Sequence, residues 1–166
     1  MKNLIAMEFD IVDYLGKLKN ELKALDSFEF CRVSDVKLME EVLQSYKRAS
    51  SFFVVLDNQD GILFQGDGAG WFERRPVTIF LLSKLGKWPD MDGRGRSLYI
   101  VRLLYKSIVS RLIRDAEMLE SLQYLNVENI PFDEVPGDFC GGMAGLFFTF
   151  TIDIPVSLAY DETEWR

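Results

Sequence analysis

Within residues 144–158, five apolar residues alternate with Phe147, Thr149, Thr151 and Asp153. The apolar positions fall at every second residue and are Leu146, Phe148, Phe150, Ile152 and Ile154. A period of two predicts a β-strand with one buried face. At about 3.3 Å per residue such a strand spans a whole small domain, and we expect Pro155 to end or bend it.

Three segments have the three-and-four spacing of apolar residues that indicates amphipathic helices. The first comprises residues 7–25, and its apolar stripe is Ile11, Leu15, Leu18, Leu22 and Leu25. The second, residues 36–47, follows Ser34 and Asp35, which favour a helix start. The third and longest comprises residues 98–122, with Ser97 as the expected N-cap and a loop expected at residues 86–95.

Five further segments are predicted to be strands, because they are short, rich in β-branched or aromatic residues and bounded by turn residues. They are residues 28–33, 51–56, 62–65, 73–82 and 123–130. The 51–56 segment is apolar, which predicts a strand buried on both faces. Pro76 suits an edge strand or the start of a strand. Residues 131–142, with two prolines and three glycines, are expected to form a loop.

The predicted order of elements is helix, strand, helix, three strands, helix and two strands. Short connections between many of the strands favour antiparallel pairing. We therefore expect an α+β fold with a single mixed, mostly antiparallel sheet and helices packed on one face. The length of 166 residues favours one domain, 1–166, with a flexible acidic C-terminal tail at about residues 159–166.

The sequence contains no histidine, which removes the commonest general base and the commonest metal ligand. Ser-His and Cys-His nucleophile pairs are therefore excluded, and a zinc site would have to use carboxylates and two thiols. Those thiols, Cys31 and Cys140, are expected to be reduced and partly buried, since both lie in apolar surroundings. We assign no catalytic residue, no metal ligand and no cofactor.

Targeting signals are not evident in the sequence. No stretch approaches the roughly 20 apolar residues that span a bilayer. Residues 1–10 include Glu8 and Asp10 and lack the basic start and long apolar run of a signal peptide. We therefore expect no membrane association and a cytosolic location.

Three motifs also have simpler interpretations. Residues 66–70 resemble a phosphate-binding loop faintly, but an apolar strand follows them, so a mobile hairpin tip is favoured. Cys140 lies in a glycine-rich run, but the acidic neighbours Glu134 and Asp138 would raise the pKa of its thiol, which favours an unreactive loop. The acids of that loop and of the C-terminal tail match no calcium loop, so solvated acids, or acids that meet a basic partner, are favoured.

Charge is distributed unevenly along the chain, which has a net charge of −7. Residues 73–114 hold ten basic and three acidic side chains, whereas residues 115–166 hold one basic and eleven acidic ones. A basic face can bind nucleic acid through its phosphates, or it can meet the acidic face of another copy. Alternatively the charges mix on the folded surface, because sequence segments need not be spatial patches.

Three features together resemble the tail-terminator, neck and tail-completion proteins of tailed phages and prophages. They are a long N-terminal helix with a central Arg/Lys-bearing helix, the strand at residues 145–155, and the segment Ala159-Tyr160-Asp161-Glu162-Thr163-Glu164-Trp165. The resemblance covers the order of elements and is most specific at residues 145–165. It implies ring-shaped homo-oligomers, usually hexamers, that cap the tail tube and meet the head connector. It also implies synthesis in the host bacterial cytoplasm and incorporation into a virion.

The first hypothesis is therefore a non-enzymatic structural protein that forms a ring with copies of itself and binds tail-tube and head-connector proteins. The predicted interface joins a basic, flexible loop (residues 92–96) and the following helix to an acidic tail: Arg94, Arg96, Arg102, Lys106, Asp161, Glu162, Glu164 and Trp165. The second hypothesis is a binding module for nucleic acid or a host protein through residues 73–114, with nucleic acid disfavoured by the net acidity. The third is an enzyme with an unrecognised carboxylate site.

Overall fold

The computed structural model describes residues 9–57, 60–86, 90–118 and 124–166. Its helices are α1 (Ile11–Glu21), α2 (Val36–Ser45) and α3 (Met91–Glu117). Its strands are β1 (Phe28–Val33), β2 (Ser51–Leu56), β3 (Ile62–Gln65), β4 (Trp71–Lys84), β5 (Phe132–Glu134) and β6 (Met143–Val156). Short 3-10 turns lie at Lys23–Leu25, Phe139–Gly141 and Glu162–Glu164.

The strands form one mixed sheet in the order β1-β2-β4-β6-β5, with β3 paired to the first residues of β4. β1 and β2 are parallel, whereas the pairs β2–β4, β3–β4, β4–β6 and β5–β6 are antiparallel. The α+β class with a mixed, mostly antiparallel sheet is confirmed. The two helices α1 and α3 pack on one face of the sheet, as expected.

The centre of the sheet is the pairing of β4 with β6, which are 14 residues long each. Their register runs without a break from Trp71 opposite Val156 to Lys84 opposite Met143. The alternation predicted for residues 144–158 is confirmed, because the five apolar positions of β6 are buried against α1 and α3. The residues between them lie on the other face of the sheet.

The two faces of the sheet carry separate hydrophobic cores. The first core lies under α1 and α3 and includes Ile79 and Leu81 of β4. The second includes Phe80 of β4 and is covered in part by Met39 and Leu43 of the short helix α2. β2 is buried on both faces, as its apolar sequence predicted, because its successive side chains enter the two cores alternately.

α1 starts later than predicted because Asp10 caps it. The Asp10 carboxylate accepts hydrogen bonds from two backbone N–H groups of the first turn, at 2.9 and 3.1 Å. The helix ends at Glu21, and Lys23–Leu25 form a separate 3-10 turn, so the helix is shorter than the predicted 7–25. Residues 7 and 8 of that prediction lie outside the described residues.

α3 starts seven residues earlier than predicted, which corrects both the loop at residues 86–95 and Ser97 as the cap. The N-cap is Asp90, whose carboxylate accepts a hydrogen bond from the Gly93 N–H at 2.8 Å. Residues 92–96 are therefore helical and do not form a loop. Glycines favour a loop locally, but an aspartate cap and the packing of a long helix outweigh that preference. Residues 87–89 and 119–122 of these predictions lie outside the described residues.

The strand predicted at residues 123–130 is wrong for the part described, residues 124–130. There Leu125 makes only an isolated bridge with Ile152. The Asn126 side chain then accepts a hydrogen bond from the Glu128 N–H at 3.0 Å, which turns the chain away from β6. The chain returns to that edge as β5, inside the segment that was expected to be a loop.

Pro76 lies in the middle of an interior strand, which corrects the expected edge or strand-start position. It stands opposite Thr151, whose carbonyl accepts a hydrogen bond from the Asn126 N–H on the far side of β6. In an antiparallel pair, two directly opposite residues direct their backbone N–H and C=O groups either both toward each other or both outward. Because the carbonyl of Thr151 points outward, the Pro76 nitrogen also faces away from β6. It faces the gap between β2 and β3, where a missing N–H breaks no pairing of these strands.

Gly95 and Gly93 provide a matched test of the corrected start of α3. A Cβ at Gly95 meets no atom within 4 Å, so Gly95→Ala should raise the free energy of unfolding by about 1 kcal/mol through helix propensity. A Cβ at Gly93 would lie 2.2 Å from Asp90 Oδ2 and displace the capping carboxylate. Loss of the cap costs about 1 kcal/mol, so Gly93→Ala should leave the free energy of unfolding nearly unchanged despite its gain in helix propensity. Urea denaturation measures both variants, and equal gains would contradict the Asp90 cap.

Gly145→Ala tests the close approach of β6 to β4. A Cβ at Gly145 would lie 1.9 Å from the carbonyl oxygen of Leu81 and 3.0 Å from the Cα of Leu82. Both are backbone atoms of the central pairing, so we expect a loss of about 3 kcal/mol or more in the free energy of unfolding. Gly68→Ala is the control, since its Cβ meets nothing within 4 Å. Wild-type stability of the Gly145 variant in thermal unfolding would refute the predicted clash.

Candidate interaction site

Most of the arginines in the basic segment, residues 73–114, already have acidic partners within the same chain. The ion pairs are Arg74–Asp153, Arg75–Glu73, Arg102–Glu134, Arg111–Glu21, Arg111–Asp115 and Arg114–Asp115. Three of these acids belong to the acidic segment, residues 115–166. Part of the complementarity between the two segments therefore stabilises a single copy.

Asp115 is the centre of a buried polar cluster that joins α1 to α3. Its side chain is only 7% exposed. It accepts hydrogen bonds from the Tyr14 hydroxyl at 2.6 Å, from Arg111 Nε at 2.9 Å and from Arg114 Nη1 at 3.3 Å. Burial and the bond to Asp115 raise the pKa of Tyr14, and Glu21 and Asp115 together raise the pKa of Arg111. The cluster fixes the two helices side by side.

The four cations predicted at the interface divide into two pairs. Arg102 donates from Nε to Glu134 at 2.6 Å, and Arg94 donates from Nη2 to the Val135 carbonyl at 2.9 Å. These two side chains therefore tie α3 to β5 and to the residue after it. Arg96 and Lys106, by contrast, are exposed and have no hydrogen-bond or ion-pair partner within the described part of the chain.

An exposed stripe on α3 contains both of these cations. Arg96, Tyr99, Leu103 and Lys106 are spaced by three, four and three residues, which places them on one face of the helix. That face points away from the core, because Val101, Leu104 and Ile108 are the buried residues. Tyr99 is 64% and Leu103 is 49% exposed. We call these four residues the α3 stripe.

The sequence analysis predicted only part of the α3 stripe. Its two cations were predicted interface residues, but its two apolar members were not. The signal was present, since Tyr99 and Leu103 lie opposite the apolar face of the predicted 98–122 helix. Exposed Tyr and Leu side chains are common singly, so the pattern gains meaning only beside unpaired cations.

The predicted acidic tail follows β6 and makes contacts among its own residues. We call residues 157–166 the acidic arm. Each of its residues is exposed. The Asp161 carboxylate accepts hydrogen bonds from the Thr163 N–H at 2.9 Å and hydroxyl at 2.7 Å, which lower the pKa of Asp161. The rings of Tyr160 and Trp165 stack with centroids 5.9 Å apart. The arm therefore presents two aromatic rings beside Glu162 and Glu164.

The acidic arm and the α3 stripe lie toward opposite ends of the molecule. The arm begins where β6 ends, at Val156. The stripe lies near the other end, since Arg102 of the same helix pairs with Glu134, which stands opposite Leu146. Ten residues of extended strand separate Leu146 from Val156, which is about 33 Å.

The two thiols are free and poorly suited to nucleophilic chemistry. Cys31 is buried and Cys140 is half-buried. Burial raises the pKa of each thiol to about 11, and a lesser contribution at Cys140 comes from Glu40. The direction agrees with the sequence prediction for Cys140, but the cause is burial and Glu40, where acids of its own loop were expected.

Other ligand-binding motifs find little support in the geometry. Residues 66–70 form a turn at the tip of the β3–β4 hairpin, closed by a hydrogen bond from the Gly66 N–H to the Gly70 carbonyl at 2.8 Å. They precede a strand, so no helix N-terminus is available there for a phosphate. In the described ranges no group of three or more His, Cys, Asp or Glu side chains is arranged to hold a metal ion. None of the described helices has the length and apolar content needed to cross a membrane.

No protein-family model matches the chain, and no curated protein matches it.

Asp115→Asn should lower the free energy of unfolding by about 2 kcal/mol, because the amide cannot neutralise Arg111 and accepts fewer of the hydrogen bonds. Asp133→Asn removes the same charge from an exposed position on β5 and is the control. Chemical denaturation of the two variants gives the comparison. If both lost the same stability, the α1–α3 cluster would not be a stabilising contact.

The raised thiol pKa values predict slow labelling in the folded protein. At pH 8 the thiolate fraction falls about tenfold for each unit by which the pKa rises, so a change from 9 to about 11 slows reaction roughly a hundredfold. Ellman's reagent, applied with and without guanidinium chloride, measures the ratio. Rapid labelling of Cys140 in the folded state would contradict this account and reopen the question of a reactive thiol.

Proposed function

We propose that this chain is a non-enzymatic structural protein of a phage or prophage tail. It belongs, in this proposal, to the tail-terminator or tail-completion type, which forms a ring, caps the tail tube and joins it to the head. The observation that carries the proposal is the acidic arm, an exposed segment at one end of a domain that has two exposed cations of α3, Arg96 and Lys106, toward the other end.

Such an arrangement favours contact between copies in a front-to-back sense. When two different surfaces of identical copies meet, the contact is heterologous, and it either closes into a ring or continues as a filament. The resemblance to tail terminators supports the closed case, with six copies as the expected number. Complementary charges would set the register of neighbouring copies and speed their encounter.

A structural function also agrees with the chemistry of the side chains. The sequence lacks histidine, and burial suppresses ionisation of both thiols, so the usual pairs of nucleophile and base lack their components. Acids that pair with arginines, such as Asp115 and Asp153, stabilise contacts between elements of the fold. These features support a protein that acts by assembly.

Nucleic-acid binding is less well supported by the geometry. The basic segment, residues 73–114, has five arginines in ion pairs within the chain: Arg74, Arg75, Arg102, Arg111 and Arg114. Phosphate contacts require Lys or Arg side chains that are free to neutralise phosphates and so displace the counterions of the nucleic acid. The remaining free cations of α3, Arg96 and Lys106, fit one acidic peptide better than a continuous phosphate backbone.

Tail-tube and head-connector proteins are the partners implied by this function. The ring would be made in the cytoplasm of the host bacterium and then be incorporated into the virion. Its two sides would meet different partners, because a ring of identical copies in the same orientation is polar.

Light scattering after size exclusion tests self-assembly directly. The protein at high concentration and about 50 mM salt should form a discrete oligomer, which dissociates as salt screens exposed charges. A second arm of the experiment adds polymerised tail tubes and looks for a ring at one tube end by negative-stain electron microscopy. A protein that stays monomeric alone and leaves tube ends bare would overturn the proposed function.

A further inference from the structure

We propose that the acidic arm (residues 157–166) of one copy docks on the α3 stripe (Arg96, Tyr99, Leu103 and Lys106) of the next copy. This docking rests on the proposed self-assembly and names the two surfaces that make it. The acceptor is a second copy of this chain, and the contact is both apolar and electrostatic.

The acidic arm has the properties of a docking segment. Tyr160 is 70% and Trp165 is 67% exposed, and their stacked rings form one apolar surface. The hydrogen bonds of Thr163 to Asp161 hold the turn that carries them. A segment that is already ordered loses less conformational entropy on binding, so more of its contact energy remains as affinity.

The α3 stripe is exposed because it lies on the face of α3 that points away from the core. α1 runs antiparallel to α3, since Tyr14 contacts Asp115 and the later residue Glu21 contacts Arg111. α1 ends at that point, whereas α3 continues for many residues toward its N-terminus. The uncovered half of α3 includes Tyr99 and Leu103, and Ile100 beside them is 52% exposed.

The two surfaces are complementary in charge and in apolar content. The arm has three acids, Asp161, Glu162 and Glu164, and one cation, Arg166. The stripe has a cation at each end and two apolar side chains between them. Trp and Tyr are the residues that most often anchor an interface, and Lys or Arg beside their rings adds a cation–π attraction.

The geometry favours docking between copies over docking within one copy. The arm begins about 33 Å from the level of the stripe, as counted along β6. The arm has ten residues, and three of them, Glu162–Glu164, form a 3-10 turn that shortens it. In the structure the arm does not lie on the stripe of its own domain, because Tyr160 and Trp165, like Tyr99 and Leu103, remain exposed.

The experiment is a charge-reversal rescue, measured by sedimentation equilibrium with circular dichroism to verify folding. Arg96→Glu with Lys106→Glu, and separately Glu162→Lys with Glu164→Lys, should each raise the dissociation constant of the oligomer about tenfold or more. All four substitutions together should restore assembly. Lys37→Glu with Arg48→Glu makes the same change in net charge at exposed positions away from α3 and should have little effect.

A second variant tests the apolar part of the contact. Tyr99→Ser with Leu103→Ser removes two exposed side chains, so the domain should stay folded while the oligomer weakens at least as much as in the charge variants. An oligomer unaffected by both the charge and the apolar variants would overturn the docking and leave the proposed self-assembly standing.

If the wild-type chain does not assemble, the self-assembly proposal fails. A peptide-binding experiment then tests whether the arm docks on the α3 stripe. A fluorescein-labelled peptide of residues 156–166 is titrated with the full-length protein and read by anisotropy. Binding that is lost with Arg96→Glu and Lys106→Glu supports the docking surface. No saturable binding, or binding unchanged in that variant, overturns it.

Discussion

The pairing of β4 with β6 is the constraint on which the rest of the structure depends. Fourteen consecutive residue pairs join these two strands at the centre of the sheet. Gly145 has no side chain, which lets the two backbones approach each other beside Leu81. Every second residue of β6 enters the core under α1 and α3, so the β4–β6 pairing also determines where those helices pack. A shift by one residue would expose that whole apolar set, which specifies the register strongly.

α1 is shorter than α3, so the two halves of α3 have different neighbours. The buried Asp115 cluster pins α1 against the C-terminal half of α3, and α1 then ends at Glu21. The N-terminal half of α3 keeps its core face but has no helix beside its outer face. The outer face of α3 points away from the core, so an exposed stripe with two unpaired cations coexists with the packed core on the inner face.

The charges show why a linear sequence is an incomplete guide to a surface. Residues 73–114 and 115–166 have opposite net charge, which suggested two faces. In the folded chain Arg74, Arg102 and Arg111 form ion pairs with the acids Asp153, Glu134 and Glu21, which are distant in sequence. Arg96 and Lys106 on α3 and the acids of the arm are among the described charges that this internal pairing leaves exposed for contact with another molecule.

The sequence by itself determined the α+β class, the bounds of β1, β2 and β3, and the buried face of β6, because these depend on local periodicity and turn chemistry. It did not determine the start of α3, the interior position of Pro76 or the division of cations into paired and free. Those depend on contacts between residues far apart in the chain: the packing that keeps two glycines helical, the gap between β2 and β3, and the acids that reach Arg102 and Arg111. Tertiary structure alone decided which charges and apolar side chains remain exposed, since exposure is set by what lies beside a residue in space.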